Sequence, residues 1–311
     1  MAYLAKQKKG NSTYYYLVEN VKLAGGRREQ KRKYLGKEKP SEKKLQLLMS
    51  NFEKEIEKER VKTEGFHFLS REEANEIDSI NSDFQKRYSK QNKTVQGQFD
   101  DDFLMAFVYN TNSIEGSTLT PKEVELLLDE DIAPNRPLGD VLEAKSAGKA
   151  LEFVKSYAGK FDEAFLLKVH KIYFEQTKPY IAGKYKTKQN RIRGSKCKTV
   201  LPEAVPLEMR FYFKEFKERE KELHPLELAA WAHWKLEQIH PFQDGNGRIG
   251  RLVMNFVLHS HGYAMIDIKT KEKQDYFKAL QKCDSGNNPK ALAVRLVRRF
   301  KKQYGNALMI N

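Results

Sequence analysis

The pattern of apolar and polar positions predicts a mainly helical chain. Residues Leu226 to Ile239 contain no Pro or Gly and are rich in apolar side chains, which predicts a mostly buried helix. After a short loop, apolar residues recur at positions i, i+3, i+4, i+7 and i+8, which predicts a second helix with one apolar stripe (Ile249, Leu252, Val253, Phe256 and Val257). Further helices are predicted at residues 103–112, 207–216, 273–280 and 290–304.

The first 62 residues follow a different pattern. Two strand-like runs, Ser12–Leu23 and Arg27–Leu35, flank Gly25-Gly26 and predict a β-hairpin. From Ser41 onward the apolar spacing returns to 3.6 residues, which predicts a helix (Leu45, Leu48, Met49, Phe52 and Ile56). We therefore predict a small basic ββα module at residues 1–62, a helical connector at residues 63–100 and a main helical domain at residues 101–305.

The charge of the chain is concentrated in this module. Lysine and arginine outnumber the acidic residues by 57 to 42, a formal net charge of +15. Residues 1–45 hold thirteen of these cations against four acids, an excess of nine that is more than half of the total. Because the cations are interleaved with tyrosines (Tyr14, Tyr15, Tyr16 and Tyr34), the module is a candidate for nucleic-acid binding through phosphate contacts and stacking. An acidic protein partner and a solvated hairpin without a partner stay open as alternatives.

The remaining composition predicts a cytoplasmic protein that does not associate with membranes. The two cysteines, Cys197 and Cys283, lack the spacing of a metal site. The chain has no charged-then-apolar leader and no run of about 18 apolar residues. These features together indicate a reducing compartment.

The loop between the two central helices carries the clearest chemistry (HPFQDGNGRIGR, residues 240–251). Gly245, Asn246 and Gly247 stand at a helix N-terminus, where free N–H groups and the helix dipole favour an anion. Arg248 and Arg251 are expected roughly 60° apart, on the side away from the apolar stripe. Two such arginines can clamp a di- or triphosphate through forked, charged hydrogen bonds.

Two further residues of the loop complete a site for nucleotide phosphates. Asp244 is a hard oxygen ligand of the kind that holds Mg²⁺ between phosphates. His240 is able to accept a proton near neutral pH. The string thus combines a base, a metal ligand, an anion site and two cations.

This string resembles the signature of the Fic family, and every fixed position of that signature matches. The family pattern is His-Pro-Phe, one variable residue, Asp or Glu, Gly-Asn-Gly-Arg, two variable residues, and Arg. The resemblance implies a Fic-type helical bundle with a β-hairpin flap, and it makes residues 101–305 a Fic catalytic domain. It also implies transfer of AMP from ATP to a Ser, Thr or Tyr hydroxyl of a protein target, with self-modification and a homodimer as further expectations.

The resemblance assigns a role to each residue of the string. His240 deprotonates the target hydroxyl, and Asp244 holds Mg²⁺. Asn246 and the backbone from Gly245 to Gly247 bind the phosphates, while Arg248 and Arg251 hold the β- and γ-phosphates. Doc-like kinases and phosphocholine-transferring relatives carry alanine at the position of Gly245, so this chain resembles the adenylyltransferases.

A second motif lies upstream, in the helix predicted at about residues 103–116. Thr111 and Glu115 are four residues apart and share a helix face, and Gly116 is a candidate C-cap. In the Fic family this motif is an inhibitory helix, which implies that Glu115 pairs with Arg251 and blocks the γ-phosphate. The same carboxylate is also a candidate to position water for removal of AMP, so transfer, removal and both together stay open.

Two weaker similarities concern the substrates. Residues 183–194 resemble the Fic flap, in which an extended backbone pairs with the target protein; Lys186 stands where the family usually has arginine. The docking residues would be Lys188, Asn190, Arg191, Ile192 and Arg193. Tyr276 falls in a segment that resembles the helix lining the adenine pocket, although an aromatic residue at helical spacing is also compatible with core packing. A plain basic surface hairpin is the alternative for the flap.

Overall fold

The protein is described by a computed structural model that covers residues 2–9, 12–22, 28–63, 68–192 and 199–305. The chain divides into two compact units. One comprises residues 1–67 together with Lys221–Leu223, and the other comprises residues 68–220 and 224–311. Helices dominate the described residues, which confirms the predicted mainly α class.

The N-terminal unit contains a three-stranded antiparallel sheet and one helix. Strands β1 (Tyr3–Lys9), β2 (Ser12–Lys22) and β3 (Arg28–Gly36) lie in the order β1-β2-β3, and helix α1 (Glu42–Thr63) follows them. The module therefore has one strand more than the two that were predicted. The segment Tyr3–Lys9 is rich in lysine and too short to carry a clear apolar alternation. It forms a strand because the edge of β2 supplies its backbone partners, with Leu4 opposite Leu17.

One face of this sheet packs against α1. Leu17 is fully buried and forms a core cluster with Ala2 and Phe52. Leu35, Leu45, Leu48 and Met49 pack around this cluster. The apolar period that predicted α1 is thus the stripe that covers the sheet.

The second unit is a bundle of ten helices within the described residues. The first seven are α2 (Arg71–Lys90), α3 (Lys93–Glu115), α4 (Pro121–Asp129), α5 (Leu138–Ser156), α6 (Glu163–Phe174), α7 (Val205–Arg219) and α8 (Pro225–Ile239). The remaining three are α9 (Asn246–Ser260), α10 (Lys273–Gly286) and α11 (Lys290–Phe300), after which a π-helical turn spans Lys301–Gly305.

Helix α3 begins ten residues before the predicted start. Asn92 caps it by accepting a hydrogen bond from the N–H of Val95 at 2.9 Å. The first two turns hold only Val95 and Phe99 as large apolar residues, with Gly97 between them, which is too weak a pattern to mark them as helical. The inhibitory segment predicted at about residues 103–116 is therefore the second half of a longer helix.

Helices α8 and α9 form the centre of the bundle. In α9, every residue from Arg248 to Leu258 is buried, because α3, α5, α6 and α8 all contact this helix. Arg248 and Arg251 do lie off the apolar stripe, but they do not face solvent, since only 5% and 1% of their surfaces are exposed. Full burial makes these two arginines dependent on partners within the protein.

None of the described helices has both the length and the apolar character needed to cross a lipid bilayer.

Candidate active site

The loop between α8 and α9 holds its histidine in an unusual backbone conformation. His240 ends α8 with φ 55° and ψ 58°, a left-handed geometry that is uncommon for a residue other than glycine. Such local strain is typical of functional sites. Its Nδ1 lies 3.3 Å from the carbonyl oxygen of Glu237 and 3.5 Å from a carboxylate oxygen of the same residue. In the tautomer whose Nδ1–H donates to Glu237, Nε2 is unprotonated and is the nitrogen that can accept a proton.

Glu237 is a site residue that the sequence analysis missed. Burial opposes its ionisation, but the neighbouring His240 outweighs burial and holds the pKa of Glu237 below its ordinary value. Glu237 also lines the same cavity as His240. The signal was available, because a glutamate three residues before a histidine on one helix shares its face.

Asn246 closes the loop upon itself. Its side-chain oxygen accepts from the N–H of Phe242 at 2.9 Å, and its amide nitrogen donates to the carbonyl of Phe242, also at 2.9 Å. The side chain is buried, and its two bonds keep the loop in shape. Its expected contact with phosphate stays a prediction, since the residue also belongs to the lining of the cavity described below.

His170 of α6 packs against the loop between α8 and α9. Its position in the sequence, far from any motif, does not indicate this role. Its ring stacks on Phe242 with centroids 3.9 Å apart. The N–H of Gly183 donates to Nδ1 at 2.9 Å, so Nε2 carries the proton and donates to the carbonyl of Asp244 at 3.1 Å. Burial lowers the pKa of His170 to about 4, which keeps the ring neutral near pH 7.

The N-terminus of α9, the predicted anion site, lies next to a carboxylate. Gly245 has φ 85°, and a side-chain carbon there would lie 2.2 Å from the ring of Phe174. A carbon added at Gly247 would lie 2.6 Å from Oε1 of Glu115. The Glu115 carboxylate therefore lies against the Gly247 backbone, where the helix dipole favours a negative charge.

Arg251 binds Glu115 from the other side. Its Nη2 lies 2.8 Å from Glu115 Oε1, so the predicted ion pair between these residues is present. Its Nε donates to the Thr111 hydroxyl at 2.8 Å, and Nη2 also donates to the Thr111 carbonyl at 3.0 Å. Burial opposes the charge of Arg251, but Glu115 outweighs it and raises the arginine pKa. Gly116 then ends α3 in the left-handed conformation expected of a C-cap, with φ 107°.

Arg248 belongs to a cluster of four alternating charges. It pairs with Glu143 and, at 2.9 Å, with Asp244. Lys178 bridges the same two carboxylates, at 2.9 Å from Glu143 and 2.7 Å from Asp244. Burial opposes ionisation of Asp244, but Arg248 and Lys178 outweigh it and hold its pKa below the ordinary value. The sequence analysis missed Glu143 and Lys178, because both are single charged residues on segments without a motif.

Asp244 fits a magnesium ion that arrives with a nucleotide. Mg²⁺ is usually held by one or two carboxylates, several waters and the substrate phosphates. Among the described residues, no three His, Cys, Asp or Glu side chains are grouped closely enough to hold a metal ion by themselves. The Asp244 side chain is 41% exposed, so one of its oxygens is accessible once Lys178 moves.

The two described arms of the flap meet, but neither is a β-strand. Lys186 donates to Asn190 at 2.9 Å and to Thr199 at 3.2 Å, which joins the arms through side chains. Burial lowers the pKa of Lys186 to about 8. The predicted strand pairing is absent from residues 183–192 and 199–200, whose backbone groups bind side chains and the loop instead. Arg193 lies outside the described residues.

These elements enclose a cavity of about 400 Å³. Its lining brings together most of the predicted residues, including Glu115, His240, Asp244–Gly247 and the flap residues Asn190–Ile192. Lys188 lies beside it and donates its backbone N–H to the Gln243 side chain at 3.2 Å. A volume of this size suits a small-molecule site.

Tyr276 does not line this cavity, which corrects its expected contact with the nucleotide. It is fully buried, and its hydroxyl lies 2.6 Å from Nε2 of His233 and 3.5 Å from Nη1 of Arg251. Its neighbours on α10, Phe277 and Leu280, line the cavity instead. The aromatic spacing identified the right helix, but a shift of one residue on a helix turns the side chain by about 100°.

Comparison with known proteins agrees with this geometry. Residues 160–258 match the sequence model of the Fic/DOC family. The chain contains a Fic domain. It is 30% identical over 186 residues to the protein adenylyltransferase Fic of Nematostella vectensis, an alignment that covers 58% of this chain and 43% of that relative. The chain thus spans less than half the length of this curated relative.

Solved structures extend the similarity to the fold of the Fic domain and its surroundings. A Fic domain-containing signalling protein from Bacteroides thetaiotaomicron superposes with a TM-score of 0.68 at 28% identity, over 75% of this chain and 94% of that one. Fic-1 of C. elegans superposes with a TM-score of 0.68 at 22% identity, over 76% of this chain and 70% of that one, which supports the fold alone.

Proposed function

We propose that this chain transfers AMP from ATP to a hydroxyl group of a protein and that Glu115 restrains the transfer. The observation that carries the proposal is the ion pair between Arg251 of α9 and Glu115, whose side chain lines the cavity that also contains His240. The curated relatives named protein adenylyltransferase Fic support the reaction class.

The anion site defines where the nucleotide binds. The phosphates would lie against the N–H groups of the first turn of α9, with Arg248 and Arg251 on the buried side. Asp244 would hold Mg²⁺, which would neutralise charge on the phosphates when bound. Phe277 and Leu280 provide an apolar wall for the base.

The transfer requires a group that accepts the proton of the target hydroxyl and groups that stabilise the negative charge on the leaving diphosphate. The target hydroxyl oxygen attacks the α-phosphorus, and its proton passes to Nε2 of His240. The bond between the α-phosphorus and the oxygen that bridges to the β-phosphate breaks, and diphosphate leaves. Arg248, Arg251 and the backbone dipoles of α9 stabilise the charge that develops on this leaving group.

Removal of AMP is a second candidate activity. Glu115 lines the cavity together with His240, and its side chain is 33% exposed, so its carboxylate is accessible to water beside a bound phosphodiester. Release of AMP from a modified protein in the presence of Mg²⁺ tests this activity. A Glu115→Gln variant that releases AMP as fast as the unaltered chain contradicts it.

The flap supports a protein as the second substrate. Residues 189–192 belong to no helix or strand, and Asn190, Arg191 and Ile192 line the cavity. An extended target segment would pair with this backbone and bring its hydroxyl toward His240. In self-modification, an extended hydroxyl-bearing segment of a second copy or of the same chain would take the place of the target segment.

Position-specific labelling of ATP tests the reaction class. Glu115→Gly is incubated with Mg²⁺ and ATP labelled on either the α- or the γ-phosphate, alone and with a cell extract as the source of targets. Label from the α-phosphate should enter protein, with a mass gain of about 329 Da per event, and label from the γ-phosphate should not. Incorporation of the γ-label would replace the proposal with phosphoryl transfer, and incorporation of neither label would overturn both.

Lys178 should compete with the metal for Asp244. In Lys178→Met the carboxylate loses one partner, and an ion pair at a partly exposed site is worth up to about 1 kcal/mol, or roughly fivefold in affinity. We expect the Mg²⁺ concentration at half-maximal AMP transfer to fall severalfold, measured in the Glu115→Gly background at saturating ATP. Lys184→Met, which removes an exposed lysine outside the cavity, is the control and should leave this concentration unchanged. An increase in Lys178→Met would mean that Lys178 helps to bind the phosphates.

A further inference from the structure

The sheet of the N-terminal unit has a second face, opposite the one on which Leu17 packs against α1, and Val18 is buried among the side chains of this second face. Directly paired residues of antiparallel strands lie on the same face. The register pairs Tyr16 with Tyr34, Gln7 with Tyr14 and Tyr3 with Val18, which brings four tyrosines to one side. Leu17 lies on the opposite side, in the core cluster with Phe52 of α1.

The tyrosines of this side form an aromatic surface in which Tyr3 and Tyr34 are exposed and Tyr14 and Tyr16 are half-buried. The rings of Tyr16 and Tyr34 lie 5.3 Å apart, and those of Tyr14 and Tyr34 lie 6.2 Å apart, both at tilted angles. Tyr34 is 52% exposed and Tyr3 is 46% exposed. Rings that were placed only to fill a core would not leave half of their surface in water.

Positive charge surrounds these rings. Arg32 pairs with Val18 in the register, which places it on the same side, and it is exposed. Lys37 Nζ lies over the ring of Tyr14, 5.8 Å from its centroid. The described acid of β2, Glu19, pairs with Lys31 and belongs to the side that faces α1. The aromatic side is therefore basic, within a segment that carries an excess of nine positive charges.

We propose that this tyrosine face (Tyr3, Tyr14, Tyr16, Arg32, Tyr34 and Lys37) binds single-stranded nucleic acid. Exposed aromatic rings stack on unpaired bases without regard to sequence, and neighbouring cations bind the phosphates. An acidic protein segment would use the cations but would leave the ring surfaces without a partner. A duplex would hide its base faces from the tyrosines, which favours a single strand.

The test is fluorescence anisotropy of a labelled oligothymidylate and oligouridylate of about 16 nucleotides with the full-length chain. Tyr34→Ala should weaken binding by about tenfold, and Arg32→Ala should reduce the slope of log affinity against log salt by roughly one contact. Tyr180→Ala removes a tyrosine that is 74% exposed on the helical unit, and Lys8→Ala removes a cation from the opposite face of the sheet. Both controls should bind about as tightly as the unaltered chain.

Several outcomes would overturn the proposal. Binding that is absent at low salt excludes a nucleic-acid site on this face. Equal effects of Tyr34→Ala and Tyr180→Ala, with far-ultraviolet circular dichroism confirming that both variants fold, would exclude stacking. Tighter binding of a duplex of the same length would show that the ligand is a duplex and not a single strand. Displacement of the oligonucleotide by polyglutamate at equal charge concentration would indicate an acidic protein partner instead.

Discussion

Glu115→Gly should transfer AMP about a hundredfold faster than the unaltered chain. The Glu115 carboxylate lies against Gly247 and pairs with Arg251 at 2.8 Å, which in the proposed arrangement is the position of a phosphate. A nucleotide that binds beside it has its α-phosphorus misplaced, and a misplacement of about 1 Å costs on the order of a hundredfold in rate. The measurement is the initial rate of mass gain with ATP and Mg²⁺.

Two variants separate the charge of Glu115 from its bulk. Glu115→Gln keeps the size of the side chain and removes the charge, so it should give a rate between those of the unaltered chain and Glu115→Gly. Glu125→Gly removes an exposed glutamate from α4 and should leave the rate unchanged. A Glu115→Gly rate equal to that of the unaltered chain would show that this carboxylate is not the restraint.

The second large effect concerns His240. In the Glu115→Gly background, His240→Ala should lower AMP transfer by at least about 10²- to 10⁴-fold, the usual contribution of a positioned general base. Binding of a fluorescent ATP analogue should change little, because the phosphates contact α9 and its arginines in the proposed arrangement. The comparison of rate with binding therefore isolates the proton transfer.

His259→Ala is the matched control for this substitution. His259 is exposed near the C-terminal end of α9, and its ring binds the carbonyl of Lys155 at 3.0 Å, away from the cavity. It should transfer AMP at the rate of the Glu115→Gly parent. If His240→Ala transfers AMP within tenfold of that parent, His240 is not the proton acceptor.

The sequence predicted the parts of the site that follow from local pattern. The apolar period of α9 and the glycine-bounded turn before it depend on neighbouring residues, so the anion site could be recognised in twelve residues. Glu115 and Arg251 are far apart in the chain, and their pairing was predicted only because the family resemblance supplied the long-range contact. The structure also shows two hydrogen bonds that Arg251 donates to Thr111, as expected if Thr111 and Glu115 share one helix face.

The parts that were missed depend on contacts between distant segments. Glu143 and Lys178 complete the charge cluster around Asp244, yet each is an ordinary polar residue in its own segment. Asn246 has the right chemistry for phosphate and for loop closure, and its two bonds to Phe242 could not be predicted from the sequence. Strand β1 likewise forms because an edge is available to it, which its lysine-rich sequence does not indicate.

The burial of Arg251 means that its negative partner can be exchanged but not simply lost. A guanidinium that is 1% exposed is costly without a counterion, and Glu115 provides that counterion at rest. A triphosphate that displaces the carboxylate would restore the balance of charge, whereas a nucleotide with fewer phosphates would leave the original pair in place. The Glu115–Arg251 ion pair would then both restrain AMP transfer and stabilise the fold. The melting temperature of Glu115→Gly should therefore rise more on addition of a triphosphate than that of the unaltered protein.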